Sequence, residues 1–208
     1  IIIILLTVTK AIIFDLGGVV IKYSGKKLRR ELSKFLKVSR KKINAAYKIV
    51  MPEFMEGKIS EREFWKRFTK CIGIHIDQSK WKNFFKNEFH GQADIDKRME
   101  KLVISLKRAG YKIALLSNTI KPHVRYIKER GWYKVFPIKV WSCEVGFIKP
   151  NKKIYFLILR KLKVKPKEAI FIADTKAHVD TARELGIKAI LFKNKKRLEK
   201  ELKALGLL

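Results

Sequence analysis

Short apolar runs alternate with longer amphipathic stretches over most of this chain. Runs of this length, bounded by glycine or polar residues, are typical of buried strands in a parallel sheet. The stretches between them carry apolar residues at the spacing of helices that cover such a sheet. This alternation predicts an α/β fold with a Rossmann-like parallel sheet and helices on both faces. The predicted strands are 11–14, 112–116, 138–141, 169–172 and 187–192.

Four amphipathic stretches follow the first predicted strand without an intervening apolar run. Ser60 and Glu63 have the spacing of a capping box at the start of one of these helices. We therefore predict an α-helical domain at 22–93, inserted into a core domain formed by residues 1–21 and 94–208. The helices of the inserted domain are predicted at 25–37, 39–50, 60–72 and 78–89. Those of the core domain are predicted at 94–109, from Pro122 to Gly131, and at 151–163, 177–185 and 195–205.

The chain begins with an unbroken apolar segment, Ile1–Leu6. We interpret it as a hydrophobic lead-in to the first strand, with a truncated leader and a misplaced start as the alternatives. The apolar run through Val8 is about eight residues long, whereas a membrane-spanning helix needs about twenty. No other segment approaches that length, so we predict no membrane association.

The composition is that of a folded protein with a strong positive charge. Hydrophobic residues make up 47% of the 208, which excludes an intrinsically disordered chain. Lys and Arg number 49 against 19 Asp and Glu, and the formal net charge is +30. Most of the basic residues are lysines, whereas specific recognition of nucleic acids favours arginine. We therefore expect a lysine-rich surface with non-specific anion binding and no specific nucleic-acid partner.

The two cysteines are too few for a disulfide scaffold or a four-cysteine zinc site. Free thiols suit a reducing compartment, and we predict a cytoplasmic protein. Cys143 is expected to be a small buried residue rather than a nucleophile.

Polar residues stand where the predicted strands end. Asp15 follows the first strand, Ser117 and Asn118 the second, and Asp174 the fourth, while Lys149 precedes the helix after the third. Because ligands of parallel sheets bind beyond the carboxyl ends of the strands, we expect these side chains at one edge. Two carboxylates, a hydroxyl and an ammonium group suit a phosphoryl group, with a carboxylate as nucleophile and both carboxylates on Mg²⁺.

Four segments that contain these residues resemble, in order, the motifs of the haloacid dehalogenase-like (HAD) superfamily. The segments are Ile12–Val20, Leu115–Thr119, Ser142–Tyr155, and Phe171–Thr175 with Ala182–Gly186 after it. The inserted residues 22–93 stand where the family's helical cap domain usually falls. The resemblance implies a hydrolase with a Rossmann-like core and an inserted α-helical cap, in which Pro52–Gly57 would face the active site and influence substrate selectivity.

The resemblance also implies a role for each matching residue. Asp15 would be the nucleophile that forms an aspartyl-phosphate. Ser117, with the backbone of Asn118 beside it, would bind the transferred phosphoryl group. Lys149 would neutralise charge on the phosphate and on Asp15. The implied function is a Mg²⁺-dependent phosphatase of small phosphorylated metabolites, as a monomer or homodimer.

The implied metal site departs from the family pattern at two positions. In the resemblance, Asp174 binds Mg²⁺ together with Asp15 and the backbone carbonyl of Gly17. The family's phosphatases usually carry a general-acid Asp at the position of Gly17, and often a second acidic residue at that of Ala173. General acid catalysis typically raises a reaction rate about 10²–10⁴-fold. Without it, alkyl phosphates should be cleaved slowly, whereas the cleavage of acyl, glycosyl or aryl phosphates should be slowed less. The change at Ala173 should weaken Mg²⁺ binding without abolishing it.

Gly17 leaves two alternative functions open. One is a metal-independent haloacid dehalogenase, because those enzymes also lack the second Asp. They lack the metal carboxylate as well, so Asp174 favours the phosphatase. The other alternative is a degenerate HAD-like binding or regulatory protein with little catalysis.

Two histidines are candidates for the missing proton donor. His178 follows Asp174 by four residues, or one helical turn. His90 stands at the predicted junction between the helical and core domains. His75 and His123 are expected in loops or at the surface.

Overall fold

A computed structural model describes residues 8–208 of the chain. The segment Ile1–Leu6, interpreted as an apolar lead-in, lies outside the described residues. None of the described helices combines the length and the apolar character that crossing a membrane requires.

The sheet has five parallel strands. They are β1 (Ala11–Phe14), β2 (Lys112–Ser117), β3 (Ile138–Trp141), β4 (Ala169–Ala173) and β5 (Lys188–Leu191). Their spatial order is β3-β2-β1-β4-β5, which places β1 in the centre. Phe14, the last residue of β1, pairs with Leu115 of β2 and Ile172 of β4. The carboxyl ends of these three strands therefore meet at one edge, and the predicted fold class is confirmed.

Helices make up most of the rest of the described chain. The first five lie between β1 and β2 and are called here the helical layer: α1 (Gly25–Leu36), α2 (Arg40–Met55), α3 (Glu61–Ile72), α4 (Gln78–Trp81) and α5 (Phe84–Gln92). The others are α6 (Lys97–Arg108), α7 (Lys121–Arg130), α8 (Ser142–Val145), α9 (Lys152–Leu162), α10 (Lys176–Glu184) and α11 (Lys195–Ala204).

Both faces of the sheet are buried. Ile12 and Phe14 belong to a core shared with α6, α7 and α11, whereas Ala11 and Ile13 belong to one shared with α9 and α10. Successive side chains of a strand point to opposite faces, so all four residues of β1 must be apolar. This double burial explains why the strands appear in the sequence as unbroken apolar runs.

The helical layer has an aromatic core of its own. The ring centroids of Phe64 and Trp65 are 5.5 Å apart, and Trp65 stacks on Trp81 at 5.9 Å. Ile120, which follows β2, is also part of this core and connects the layer to the carboxyl edge of the sheet. The boundaries of the two domains stay a prediction.

The stretch 78–89, predicted as one helix, forms the separate helices α4 and α5. The backbone leaves the helical conformation at Asn83, where φ is −120° and ψ is 12°. Aromatic rings from both sides of the interruption pack on Trp65: Trp81 from α4 and Phe85 from α5. The helical spacing of the sequence therefore does not show where the backbone leaves the helix.

Two helix ends also differ from the predicted ones. α2 extends to Met55 although Pro52 lacks the N–H that a helix interior uses, because Met51 and Phe54 remain buried in the core of the layer. α6 begins three residues later than predicted, since the Asp96 carboxylate accepts the backbone N–H of Arg98 at 2.9 Å. The predicted cap of α3 is present, with Ser60 Oγ accepting the N–H of Glu63 at 3.1 Å.

Gly57 brings the turn after α2 against α8. Its φ of +69° lies in the left-handed region, and a Cβ at this position would lie 2.2 Å from the carbonyl oxygen of Cys143. Only glycine allows that approach without displacing backbone. Cys143 is buried, as predicted, and belongs to α8 directly after β3. Gly57 therefore fixes how closely the helical layer approaches the carboxyl edge of the sheet.

Replacing Gly57 by alanine should destabilise the protein in two ways. The left-handed backbone costs alanine about 1 kcal/mol, and the clash with Cys143 adds about 1–3 kcal/mol. Gly73→Ala is the matched control, because Gly73 has φ of +74° but a Cβ there would meet no neighbouring atom within 4 Å. Chemical unfolding should show the larger loss of stability for Gly57→Ala. Equal losses in the two variants would show that the contact with Cys143 is unimportant.

Candidate active site

Asp15 lies at the centre of the carboxyl edge, directly after β1. Its side chain is only 9% exposed. The Asp15 N–H donates to the carbonyl of Ile172 on β4 at 2.8 Å, and the N–H of Leu16 donates to Asp15 Oδ1 at 2.8 Å. The neighbouring strand and the following residue thus fix both the position and the orientation of the carboxylate.

Lys149 forms a buried ion pair with Asp15. Its side chain is completely shielded from solvent, and Nζ lies 2.7 Å from Asp15 Oδ2. The same ammonium group donates to the carbonyl of Leu116 on β2 at 2.8 Å. Nζ also lies 5.4 Å from the centroid of the Phe171 ring on β4, within cation–π distance. Lys149 therefore bridges the three central strands at the edge where they end.

The side chain of Asn118 holds the backbone of Lys149 in place. Asn118 Nδ2 donates to the Lys149 carbonyl at 2.9 Å, and the Lys149 N–H donates to Asn118 Oδ1 at 2.8 Å. Ser117, the last residue of β2, is buried beside it. The structure thus brings together Asp15, Ser117, Asn118 and Lys149, and it gives Asn118 a positioning contact that the sequence did not predict.

Ser142 is a further positioning residue that was not singled out from the sequence. Its hydroxyl accepts the N–H of Thr119 at 2.8 Å and lies 3.1 Å from the Thr119 carbonyl, to which it donates. Ser142 is fully buried directly after β3. The rule that singled out polar residues at the ends of the other strands would also have identified this one.

Asp174 approaches the site from the end of β4, and Gly18 makes room for it. A Cβ on Gly18, whose φ is +75°, would lie 2.1 Å from Asp174 Oδ2. A side chain at this position would therefore occupy the space that the carboxylate fills. Thr175 Oγ1 donates to the other oxygen, Asp174 Oδ1, at 3.1 Å. The need for glycine at Gly18 was not recognised from the sequence.

The two carboxylates have opposite electrostatic environments. Burial alone would raise the pKa of Asp15, but the charge of Lys149 and the proximity of His178 outweigh it and hold the pKa below its ordinary value of 3.8. Asp15 is therefore ionised at neutral pH. Asp174 reaches solvent, yet partial desolvation of its carboxyl group and the charge of Asp15 raise its pKa.

This donor set fits a hard divalent cation. No group of three or more His, Cys, Asp or Glu side chains within residues 8–208 is arranged to bind a metal. Mg²⁺, however, is commonly held by one or two carboxylates, with water and substrate phosphate as the remaining ligands. Partial burial and, after it, the charge of Asp15 raise the pKa of Asp174, and a cation relieves such repulsion between two carboxylates. Gly17, whose carbonyl is the predicted backbone ligand, lies in the loop that follows Asp15.

The two candidate proton donors lie in different places. His178 Nδ1 is 3.8 Å from Asp15 Oδ2 and forms no hydrogen bond with the described residues. The hydroxyl of Tyr155 donates to the His178 carbonyl at 2.9 Å and fixes the start of α10. His90 is exposed and contacts α7, where Arg130 Nη2 lies 3.3 Å from its Nε2. Of the two, the structure brings only His178 to Asp15.

His123 was expected at the surface, but it is buried, and that expectation is wrong. Its ring stacks on Phe89 with centroids 4.1 Å apart, and burial lowers its pKa to about 3. Its Nε2 lies 3.7 Å from Oε2 of Glu88, whose carboxylate also accepts the hydroxyl of Tyr23 at 2.9 Å. This polar cluster joins α5 to α7 and takes no part in the Asp15 site. His75 is exposed, as expected.

Comparisons with known proteins show what this chain is similar to. The sequence profile of the haloacid dehalogenase-like hydrolases matches residues 9–186. "Bifunctional epoxide hydrolase 2" of Mus musculus is 27% identical over 204 residues, which cover 87% of this chain but 36% of that protein. The chain thus spans about a third of the length of this relative.

Two comparisons cover nearly all of both chains. "D-ribitol-5-phosphate phosphatase" of Bacteroides thetaiotaomicron is 25% identical over 187 residues, covering 85% of this chain and 88% of that protein. The solved structure of a HAD family enzyme from Bacteroides thetaiotaomicron, in complex with magnesium and inorganic phosphate, superposes with a TM-score of 0.73. It is 22% identical in sequence and covers 91% of this chain and 98% of its own.

Replacing Lys149 by methionine should leave Asp15 as an uncompensated buried charge. Breaking one side of such a pair typically costs about 3–5 kcal/mol of unfolding free energy. Lys152→Met is the control, because Lys152 forms an exposed pair with Glu184 at 3.2 Å, and such pairs contribute about 0–1 kcal/mol.

The double variant Asp15→Asn/Lys149→Met tests the same pair from the other side. Removal of both charges should recover part of the loss seen in Lys149→Met, measured by chemical unfolding at neutral pH. A Lys149→Met variant as stable as Lys152→Met, or no recovery in the double variant, would contradict the buried-pair interpretation.

Proposed function

The chain belongs to the haloacid dehalogenase-like hydrolases, and on that premise we propose that it is a Mg²⁺-dependent phosphatase of small phosphorylated metabolites. The observation that carries the proposal is the buried, ionised Asp15, held 2.7 Å from Lys149 and beside the second carboxylate of Asp174. The Bacteroides relative that acts on D-ribitol 5-phosphate supports a phosphorylated substrate. The magnesium and phosphate bound by the Bacteroides enzyme of similar fold suit the same chemistry.

In the first step, an Asp15 carboxylate oxygen attacks the phosphorus atom of the substrate. The new P–O bond gives an aspartyl-phosphate, and the bond to the leaving oxygen breaks with its electron pair on that oxygen. The N–H of Leu16 and the ammonium of Lys149 each hold one carboxylate oxygen, so the nucleophile is already oriented. Ser117 and Lys149 would donate to the phosphoryl oxygens as charge develops on them.

Asp15, Asp174 and the carbonyl of Gly17 would hold Mg²⁺ in this enzyme. When bound, the cation supplies positive charge that stabilises the phosphoryl oxygens. The buried Ala173 at the end of β4 has no side-chain oxygen to add as a ligand, so we expect Mg²⁺ to bind weakly.

The leaving group determines which substrates react fast. Gly17 provides no carboxylic acid to protonate the leaving oxygen, and a Cβ there would lie 3.2 Å from the carbonyl of Tyr23, in tight contact. We propose that aryl, acyl and glycosyl phosphates, whose leaving groups need little protonation, are the preferred class. His178, which lies near Asp15, is the better placed of the two candidate proton donors. His90 instead contacts Arg130 of α7.

In the second step, water attacks the phosphorus atom of the aspartyl-phosphate. The P–O bond to Asp15 breaks, inorganic phosphate leaves, and the carboxylate is restored. Lys149 again neutralises the returning negative charge on Asp15.

The domain organisation, the cellular compartment and the oligomeric state are also part of the proposal. Residues 22–93 would act as a cap domain over a core built from residues 1–21 and 94–208, with Gly57 packed against α8 supporting this arrangement. The free thiols of Cys71 and Cys143 support a cytoplasmic enzyme. It would act as a monomer or homodimer, without a specific nucleic-acid partner.

A screen of phosphorylated metabolites and aryl phosphates, read as free phosphate with Mg²⁺ or with chelator, tests the proposed function. We expect release that requires Mg²⁺, is faster for aryl than for alkyl phosphates, and falls at least about a thousandfold in Asp15→Asn. Asp180→Asn is the control, because this α10 carboxylate pairs with Lys176. Its activity should stay close to that of the wild type.

Three results would contradict the proposal. Undiminished phosphate release by Asp15→Asn would exclude Asp15 as the nucleophile. Halide release from haloacids without metal, and no phosphate release, would establish the dehalogenase. Absence of both activities, with no binding of beryllium fluoride in the presence of Mg²⁺, would establish a non-catalytic protein.

A further inference from the structure

A cavity of about 530 Å³ lies between α1, α2 and the loop that precedes Lys149. Its apolar wall is formed by Met51, Pro52, Met55 and Ile148, and its polar residues are Arg29, Asn44, Tyr47 and Lys48. Cavities of a few hundred Å³ with mostly apolar walls and a few polar groups are typical of small-molecule sites. Two larger cavities, of about 810 and 780 Å³, are lined by the helical layer and its loops, and none of their lining residues neighbours Asp15, Ser117, Lys149 or Asp174 in the chain.

Residues on two walls of this cavity are linked to residues beside Asp15. On one side, Ile148 immediately precedes Lys149 in the chain. On the other side, a Cβ on Gly25 would lie 3.3 Å from both the Arg29 guanidinium and the Tyr47 hydroxyl. Two residues before Gly25, the carbonyl of Tyr23 closes on Gly17 in the loop after β1. These two links place the cavity beside the residues that surround Asp15.

Arg29 gives the cavity a positive group that no carboxylate neutralises. Within residues 8–208, Arg29 forms no ion pair with an acidic side chain, whereas the adjacent Arg30 pairs with Glu31 at 3.1 Å. The Arg29 guanidinium instead lies over the ring of Tyr47, 5.0 Å from its centroid. Burial raises the pKa of Tyr47 to about 12, so its hydroxyl is neutral and remains a donor.

We infer that the cavity binds the carbon body of the substrate, and that Arg29 binds a carboxylate at the end remote from the phosphate. This inference rests on the proposed phosphatase function and specifies its substrate class: phosphate esters with an apolar body and a second, carboxylate end. A planar guanidinium matches a carboxylate in a bidentate manner.

Binding of two phosphonates that cannot be hydrolysed tests this assignment. The probes are 4-(phosphonomethyl)benzoate and 4-(phosphonomethyl)benzamide, which differ in the charge at the remote end, titrated calorimetrically into the Mg²⁺-loaded protein. We expect the benzoate to bind about tenfold more tightly, as one charge-assisted hydrogen-bonded pair predicts. Arg29→Gln should bring the two affinities to within about twofold of each other.

Arg30→Gln is the matched control on the same helix. It removes the same charge from the protein as Arg29→Gln does. Both variants should therefore lose equally any preference for the benzoate that comes only from the overall positive charge. The benzoate preference should persist in Arg30→Gln at physiological ionic strength, where long-range charge effects are screened. Thermal unfolding of both variants shows that each is folded at the temperature of the titration.

The outcomes separate this inference from the proposed function. Equal affinity of the wild type for the two probes, or equal effects of Arg29→Gln and Arg30→Gln, would overturn the assignment of Arg29 even in an active phosphatase. The expected preference without phosphate release from any ester would instead support the cavity as a binding site and refute the phosphatase. Failure of both probes to bind would overturn the assignment.

Discussion

The buried ion pair between Asp15 and Lys149 is the interaction on which the site depends. Taking two charges out of water is costly, and their attraction compensates only when the geometry is precise and the remaining hydrogen-bonding groups are satisfied. Here both conditions are met: Leu16 N–H binds the second oxygen of Asp15, and the Leu116 carbonyl accepts from Lys149. Such a pair adds little net stability. Its consequence is that Asp15 stays ionised and fixed in a site with little access to water.

The surrounding fold explains how this precision is obtained. The parallel register ends β1, β2 and β4 at the same level, so one side chain can reach all three. Asn118 binds the backbone of Lys149 through two hydrogen bonds, and Ser142 binds that of Thr119. Glycine is required where backbone must come close, at Gly18 beside Asp174 and at Gly57 beside α8. Substitutions at these positions should therefore affect catalysis although the substituted residues do not contact the substrate.

The sequence predicted the parts of the structure that depend on local pattern. Strands buried on both faces appear as apolar runs, and polar residues at their ends, such as Asp15, fall at one edge for geometric reasons alone. Other features depend on contacts between distant segments. His123 is buried because Phe89 and Tyr23 pack against its ring. No local spacing indicates such contacts. Nor does it show that Arg29 and Ile148, far apart in the chain, line one cavity.

The net charge of +30 acquires a limited role in this enzyme. Lys149 is committed to Asp15 and Arg29 to the proposed cavity, while many lysines, such as Lys128 and Lys152, form exposed ion pairs of little energetic weight. The positive surface would mainly raise the rate at which anionic substrates arrive.

The central claim is that Asp15 carries the phosphoryl group during turnover. The most direct measurement is to quench the enzyme during hydrolysis of an aryl phosphate, reduce the acyl phosphate with borohydride, and map the modified residue by peptide mass spectrometry. We predict conversion of Asp15, and of no other aspartate, to homoserine. Turnover with an unmodified Asp15, or with modification at Asp174 instead, would contradict the claim.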